Sequence, residues 1–99
     1  MARLVTHGSF VWDEEKEAYN KQVHKIGFAE ASQAFFDPNR VIAVDEAHSK
    51  IEERSFCIGK VGNRIATVRF TYRGSKIRII GAGFWRKGRK FYEKKKKQN

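Results

Sequence analysis

Two histidines and one arginine are the residues of this 99-residue chain whose type and setting suit proton or phosphate chemistry. His24 precedes Lys25 at the expected end of a helix, and His48 stands in a polar stretch ahead of Glu52-Glu53-Arg54. Imidazole titrates near neutrality, so it can take a proton and return it. A histidine at a helix C-terminus equally suits a partner for the helix dipole. The guanidinium of Arg54 can pair with the glutamates before it, and the same group can stabilise a pentacoordinate phosphate. His7 reads as part of an N-terminal leader. Cys57, between Phe56 and Ile58, reads as a small core residue, with no base beside it to make it a nucleophile. A single cysteine excludes an intramolecular disulfide. The chain has no zinc-ligand spacing, glycine-rich phosphate loop or well-spaced carboxylate pair, and no cofactor or metal is expected.

Charge identifies the class of partner. The chain carries 21 Lys and Arg against 11 Asp and Glu, a formal +10, and the imbalance is uneven. Residues 1–50 hold six basic and eight acidic side chains, whereas residues 51–99 hold fifteen and three. Such asymmetry concerns polyanionic partners and not the fold. Arg69, Arg73 and Lys76 fall on or beside expected strands, and Arg86, Lys87, Arg89 and Lys90 follow, interleaved with Trp85, Phe91 and Tyr92. Cations release counterions from a nucleic-acid backbone, and aromatic rings stack on unpaired bases. Single-stranded RNA suits this pattern better than duplex DNA, because nothing resembles a groove-reading helix-turn-helix. The run Lys94 to Lys97 reads equally as solvated tail. No apolar stretch reaches the length of a signal peptide or a membrane span, so a reducing cytoplasm and no membrane partner are expected.

The elements that must position these groups follow from turn and capping signals. Phe10-Val11-Trp12 reads as a short strand running into a helix over residues 14–25, with Asp13 as its N-cap, Ala18, Tyr19 and Val23 as its apolar stripe and Gly27 as its stop. A second helix is expected over Phe28 to Phe36, ended by Asp37-Pro38-Asn39. Val41 to Val44 is strand-like, Asp45 to Glu53 is a polar loop, and three strands follow over 55–60, 65–72 and 76–80, with turns at Gly62-Asn63 and Gly74-Ser75. A two-residue turn at Gly74-Ser75 pairs Arg73 with Lys76, Tyr72 with Ile77, Thr71 with Arg78 and Phe70 with Ile79. One face then carries Val68, Phe70, Tyr72, Ile77 and Ile79, and the other Arg69, Thr71, Arg73, Lys76 and Arg78. Slipping by one residue would bury unpaired cations. A short helix from about residue 87 completes an α+β chain: one domain over 1–99, with its core at 9–93, a flexible leader over 1–8 and a flexible basic tail over 94–99.

The segments Phe10 to Lys16, Asn20 with His24, Gly27-Phe28, Glu30-Ala31, Phe36-Asp37-Pro38, Asp45 through Ser49, Glu52-Glu53-Arg54, Ile58-Gly59 and Arg78-Ile79-Ile80 resemble, in order and spacing over about residues 10–93, the BrnT family of ribonuclease toxins. The resemblance implies a RelE-like fold, with two N-terminal helices packed on an antiparallel meander and a short C-terminal helix. It also implies a metal-independent RNA endonuclease that inhibits translation by cutting mRNA, free or on the ribosome. Its cognate partner would be a small BrnA-like antitoxin with a ribbon-helix-helix part, through which alone operator DNA is met. On that pattern Arg54 and Arg78 bind the phosphate and its transition state, His24 or His48 acts as base or acid, Arg86 or Lys87 adds positive charge, and Tyr92 orients or stacks. After the last strand the family commonly has a Ser-Ala-Arg-Lys-type segment, where this chain has Gly81-Ala82-Gly83-Phe84-Trp85-Arg86-Lys87. A non-catalytic RNA- or ribosome-binding module would use the same cationic face.

Overall fold

The structure, a computed structural model, describes residues 3–98, with the His48 side chain outside the described residues. Strands β1 (Leu4–His7) and β2 (Phe10–Asp13) form a hairpin whose turn places Gly8 at φ 59°, a left-handed conformation that favours glycine. Helix α1 (Glu14–His24) follows directly, and a single α-turn, α2 (Phe28–Ala31), tightens into a 3-10 segment over Ser32–Phe36. Strand β3 (Val41–Val44), a 3-10 turn (Glu46–His48), β4 (Ser55–Val61), β5 (Arg64–Arg73), β6 (Lys76–Gly83) and helix α3 (Arg86–Lys97) complete the described chain. The strands form one sheet in the order β1-β2-β6-β5-β4-β3. Its contacts are antiparallel except for β2 against β6, so the sheet is mixed and not a pure meander.

The β5–β6 pairing is the one read from the turn: Arg73 faces Lys76, Tyr72 faces Ile77, Thr71 faces Arg78 and Phe70 faces Ile79. One face is therefore apolar. Cys57, Val68 and Ala82 form a cross-strand row beside Phe70 and Ile79, and all five are buried under α2 and the 3-10 segment. Gly59 permits that close cover, because a methyl group there would strike the Ala34 carbonyl. Burial also pushes the Cys57 thiol up to about 12, so it is an inert core group.

Several expectations are corrected. The second N-terminal helix is one α-turn followed by 3-10 geometry; the Ser32 hydroxyl donates to the Ala29 carbonyl at 2.6 Å, a side-chain bond that competes with helical bonding. Helix α1 ends at Lys25, which takes the left-handed conformation at φ 61°, and Gly27 instead caps α2. The stripe of Ala18, Tyr19 and Val23 is exposed, because α1 docks on β6 through a polar side chain. Buried Asn20 donates to the carbonyls of Ile26 and Ala82, each at 2.9 Å, and accepts from the Ala82 amide at 3.1 Å. It occupies the place of a neighbouring strand where β2 has left β6, satisfying buried backbone groups that would otherwise be orphaned. The leader expected over residues 1–8 supplies β1, and α3 runs through the lysines to Lys97.

Candidate functional site

The sheet face away from the apolar core carries several of the candidate side chains. Along β5 it presents Thr67, Arg69, Thr71 and Arg73, and along β6 Arg78 and Gly81, so the arginines are spaced by the two-residue pleat. A β-bulge at Arg69/Phe70 shifts the register so that Gly81, with Ile80 left over, stands opposite Arg69. The bulge was not legible in the sequence. It matters because a glycine at that place leaves the floor open between Arg69 and α1.

A hollow of about 520 Å³ opens there, with Asn20 and His24 of α1 on one side, Phe56, Arg69 and Gly81 on the floor, and Trp85 at the end. Asp13 caps α1 by accepting from the amides of Glu15 at 2.8 Å and Lys16 at 3.4 Å, which sets the helix start, and Asn20 ties its middle to β6. His24 is thereby held with its ring edge-on to Trp85, centroids 5.1 Å apart at 71°. Trp85 lies against Gly83, where a Cβ would approach the ring within 2.6 Å. The two glycines that separate β6 from Trp85 in this chain thus have distinct jobs: Gly81 keeps the floor low and Gly83 seats the indole.

Three arginines of the region, Arg69 of the hollow among them, are paired. Asp45, itself buried, lies 3.3 Å from Nε of Arg69, near enough for an ion pair but poorly angled for a hydrogen bond. Glu52 stands between Arg73, at 3.6 Å, and Arg54, at 3.9 Å. These carboxylates come from the loop of residues 45–54, which the Asp45 amide closes onto the Arg54 carbonyl at 2.7 Å. The Ser49 hydroxyl donates to the Asp45 carbonyl at 2.6 Å, and that of Thr71 fastens the loop to the sheet through the Glu53 carbonyl at 2.8 Å. Arg78, opposite Thr71, has no carboxylate at ion-pair distance among the described residues.

The structure therefore brings His24, Arg69 and Trp85 together, with Arg78 one row along the same face. It does not bring Arg54 to His24, since Arg54 and Arg73 line a separate hollow with Glu52 and Lys50. The His48 side chain lies outside the described residues. Lys76 closes the β1–β2 hairpin, donating to the Gly8 carbonyl at 2.9 Å. On α3, Arg86 and Arg89 face the end of the sheet, Lys87 borders an apolar groove with Phe91, and Lys90 is exposed.

Tyr92 is only 2% exposed, which takes its ring away from any base, and its hydroxyl donates to Asp37 at 2.7 Å. Burial, and then the bond to Asp37 and that carboxylate's charge, push the phenol up to about 12. Burial alone would raise Asp37; the Tyr92 hydroxyl, the amides of Asn39 and Lys60 and the Lys60 charge outweigh it and hold the carboxyl below its ordinary value. Asp37 was legible only as part of a turn, and no spacing signal connects it to Tyr92. Asn20 and Asp45 were missed for the same reason, since their partners are brought close only by folding; the pairing of Glu52 with Arg54 was read from their adjacency, and its contact with Arg73 was not.

A family model described as "Ribonuclease toxin, BrnT, of type II toxin-antitoxin system" matches residues 12–88, from Trp12 on β2 to Gly88 on α3. No curated protein matches the chain. Among the described residues no helix is long and apolar enough to cross a membrane.

Proposed function

We propose that this chain, which belongs to the BrnT family of ribonuclease toxins of type II toxin-antitoxin systems, cuts single-stranded RNA on the open sheet face, with the hollow beside His24 as the reaction site. The observation that carries the reading is the meeting of His24, Arg69 and Trp85 around one hollow, a proton carrier, a cation and a stacking surface within reach of one nucleotide. The base 5′ of the scissile linkage stacks on Trp85. His24 takes the proton of the 2′-hydroxyl, whose oxygen attacks the adjacent phosphorus. The P–O5′ bond breaks, the departing O5′ takes a proton from water, and the products are a 2′,3′-cyclic phosphate and a 5′-hydroxyl. Arg69 and Arg78 stabilise the charge of the pentacoordinate phosphate. Since the nucleophile belongs to the substrate, the reaction requires no metal-activated water.

Arg54, Arg73 and Lys76 extend the cationic face and hold RNA beyond the scissile linkage, and Lys87 and Lys90 add long-range attraction. Cutting mRNA inhibits translation, and a small BrnA-like antitoxin with a ribbon-helix-helix part silences the toxin by covering this face. The test is incubation of the purified chain with single-stranded RNA in the presence of a chelator. Cleavage continues, and stops at a linkage whose 2′-hydroxyl is replaced by hydrogen; cutting at that deoxy linkage overturns the proposed chemistry.

A further inference from the structure

A second hollow, of about 650 Å³, lies where α3 meets the β4–β5 turn, and Trp85 is a wall of both hollows. Its cations are Lys60, Arg64, Arg86, Arg89 and Lys96, against one carboxylate, Glu93. Arg86, Arg89, Glu93 and Lys96 share one face of α3 by their spacing of three and four residues. Arg64 is seated over the Phe84 ring, its guanidinium carbon 3.7 Å from the centroid, which stiffens a side chain otherwise free to move. None of the five has a carboxylate at ion-pair distance among the described residues.

The contrast with the sheet face decides what this hollow does. There Arg54, Arg69 and Arg73 lie at ion-pair distance from Glu52 or Asp45, so an incoming phosphate must compete with a carboxylate. Here the one lining carboxylate, Glu93, is at ion-pair distance from none of the cations among the described residues. Helix α3 also begins with Arg86 and Lys87, has no acid in its first turn and has no side-chain cap. Cations at that end oppose the helix dipole, an arrangement that a bound anion would relieve.

We propose that this hollow is a phosphate subsite that grips the backbone of the RNA beside the scissile linkage, so that the strand passes over Trp85 from one hollow to the other. The proposal rests on the chain acting on RNA, and it assigns Lys60, Arg64 and Lys96 a binding role that the sheet face does not share.

The test uses the full chain and a single-stranded RNA made uncleavable by 2′-deoxy linkages, with affinity measured against salt. Each phosphate contact on a single strand contributes about 0.7 to the slope of log affinity against log salt, so Lys60→Gln with Arg64→Gln reduces the slope by about 1.4. An unchanged slope overturns the subsite. A second readout is tryptophan emission on titration with inorganic tripolyphosphate, since Trp85 is 42% exposed and Trp12 is buried. The wild type responds and the double variant loses the response; a wild type that does not respond overturns the subsite. If tripolyphosphate binds through these residues while RNA is neither bound nor cut, the RNA reading fails and the phosphate site stands.

Discussion

The hydroxyl of Tyr92 donates a 2.7 Å hydrogen bond to the carboxylate of Asp37, joining α3 to the turn before β3 across 55 residues of sequence. Asp37 also accepts from the Lys60 amide at 2.8 Å, so one carboxylate ties a helix, a turn and a strand. Removing the phenol leaves that carboxylate under-satisfied, and Tyr92→Phe costs about 1–3 kcal/mol at neutral pH. The pH dependence has two sides. Asp37 titrates lower folded than unfolded, so its contribution is whole above the ordinary carboxyl range and is lost as pH falls through the lowered value. Tyr92 titrates higher folded, near 12, so its contribution is whole below the ordinary phenol value near 10 and is lost as pH rises toward 12. Urea unfolding of both proteins across pH checks this. Equal stability at pH 7 would show that the bond contributes nothing.

Gly88 and Thr67 are coupled by contact. A methyl group on Gly88 would strike the Thr67 hydroxyl, and that hydroxyl is buried without a partner among the described residues. Gly88→Ala therefore destabilises α3 despite the better helix propensity of alanine, by about 1–3 kcal/mol as an overpacked contact. Thr67→Ala alone is near neutral or stabilising, because it removes an orphaned polar atom. In the double variant the cost of Gly88→Ala shrinks, and a thermodynamic cycle measures the interaction. Additive effects would contradict the contact.

Asn20 holds α1, and through it His24. Asn20→Leu orphans the Ile26 carbonyl and both backbone groups of Ala82, at about 1–3 kcal/mol for each group left unsatisfied in the interior. Melting temperature reports the loss. Slowed amide exchange is also lost first at Ala82, whose amide donates to the Asn20 side chain, and retained protection there would show that another group holds the helix.

Much of this architecture was legible because short-range chemistry dictates it. Gly74-Ser75 permits one tight turn, and the alternation of Phe70 and Tyr72 with Arg69 and Arg73 admits one register, which the fold adopts. Asp13 was legible as a cap from its neighbours alone. What was not legible depends on distant partners. The parallel contact of β2 with β6 joins Phe10 to Ile77, and α1 buries an asparagine in place of an apolar stripe. At the site, residue types were readable and groupings were not: Arg54 and His24 looked like members of one centre, and folding places them in separate hollows while setting His24 beside Trp85.

If the proposed face holds RNA, Glu52 competes with it for two arginines. Glu52→Gln removes the carboxylate between Arg54 and Arg73, so single-stranded RNA binds more tightly at low salt, and the salt slope steepens by about 0.7 for each arginine that gains a phosphate. Filter binding across a salt series checks it. Weaker binding would show instead that the glutamate positions the guanidinium groups.

The proposed cleavage depends most directly on His24. In a single-turnover cleavage assay with excess antitoxin-free protein over single-stranded RNA, His24→Ala lowers the rate by about 10²–10⁴-fold while RNA affinity is retained, and the wild-type products end in 2′,3′-cyclic phosphate. Cleavage by the variant at the wild-type rate, or intact RNA after incubation with the wild type, would contradict it.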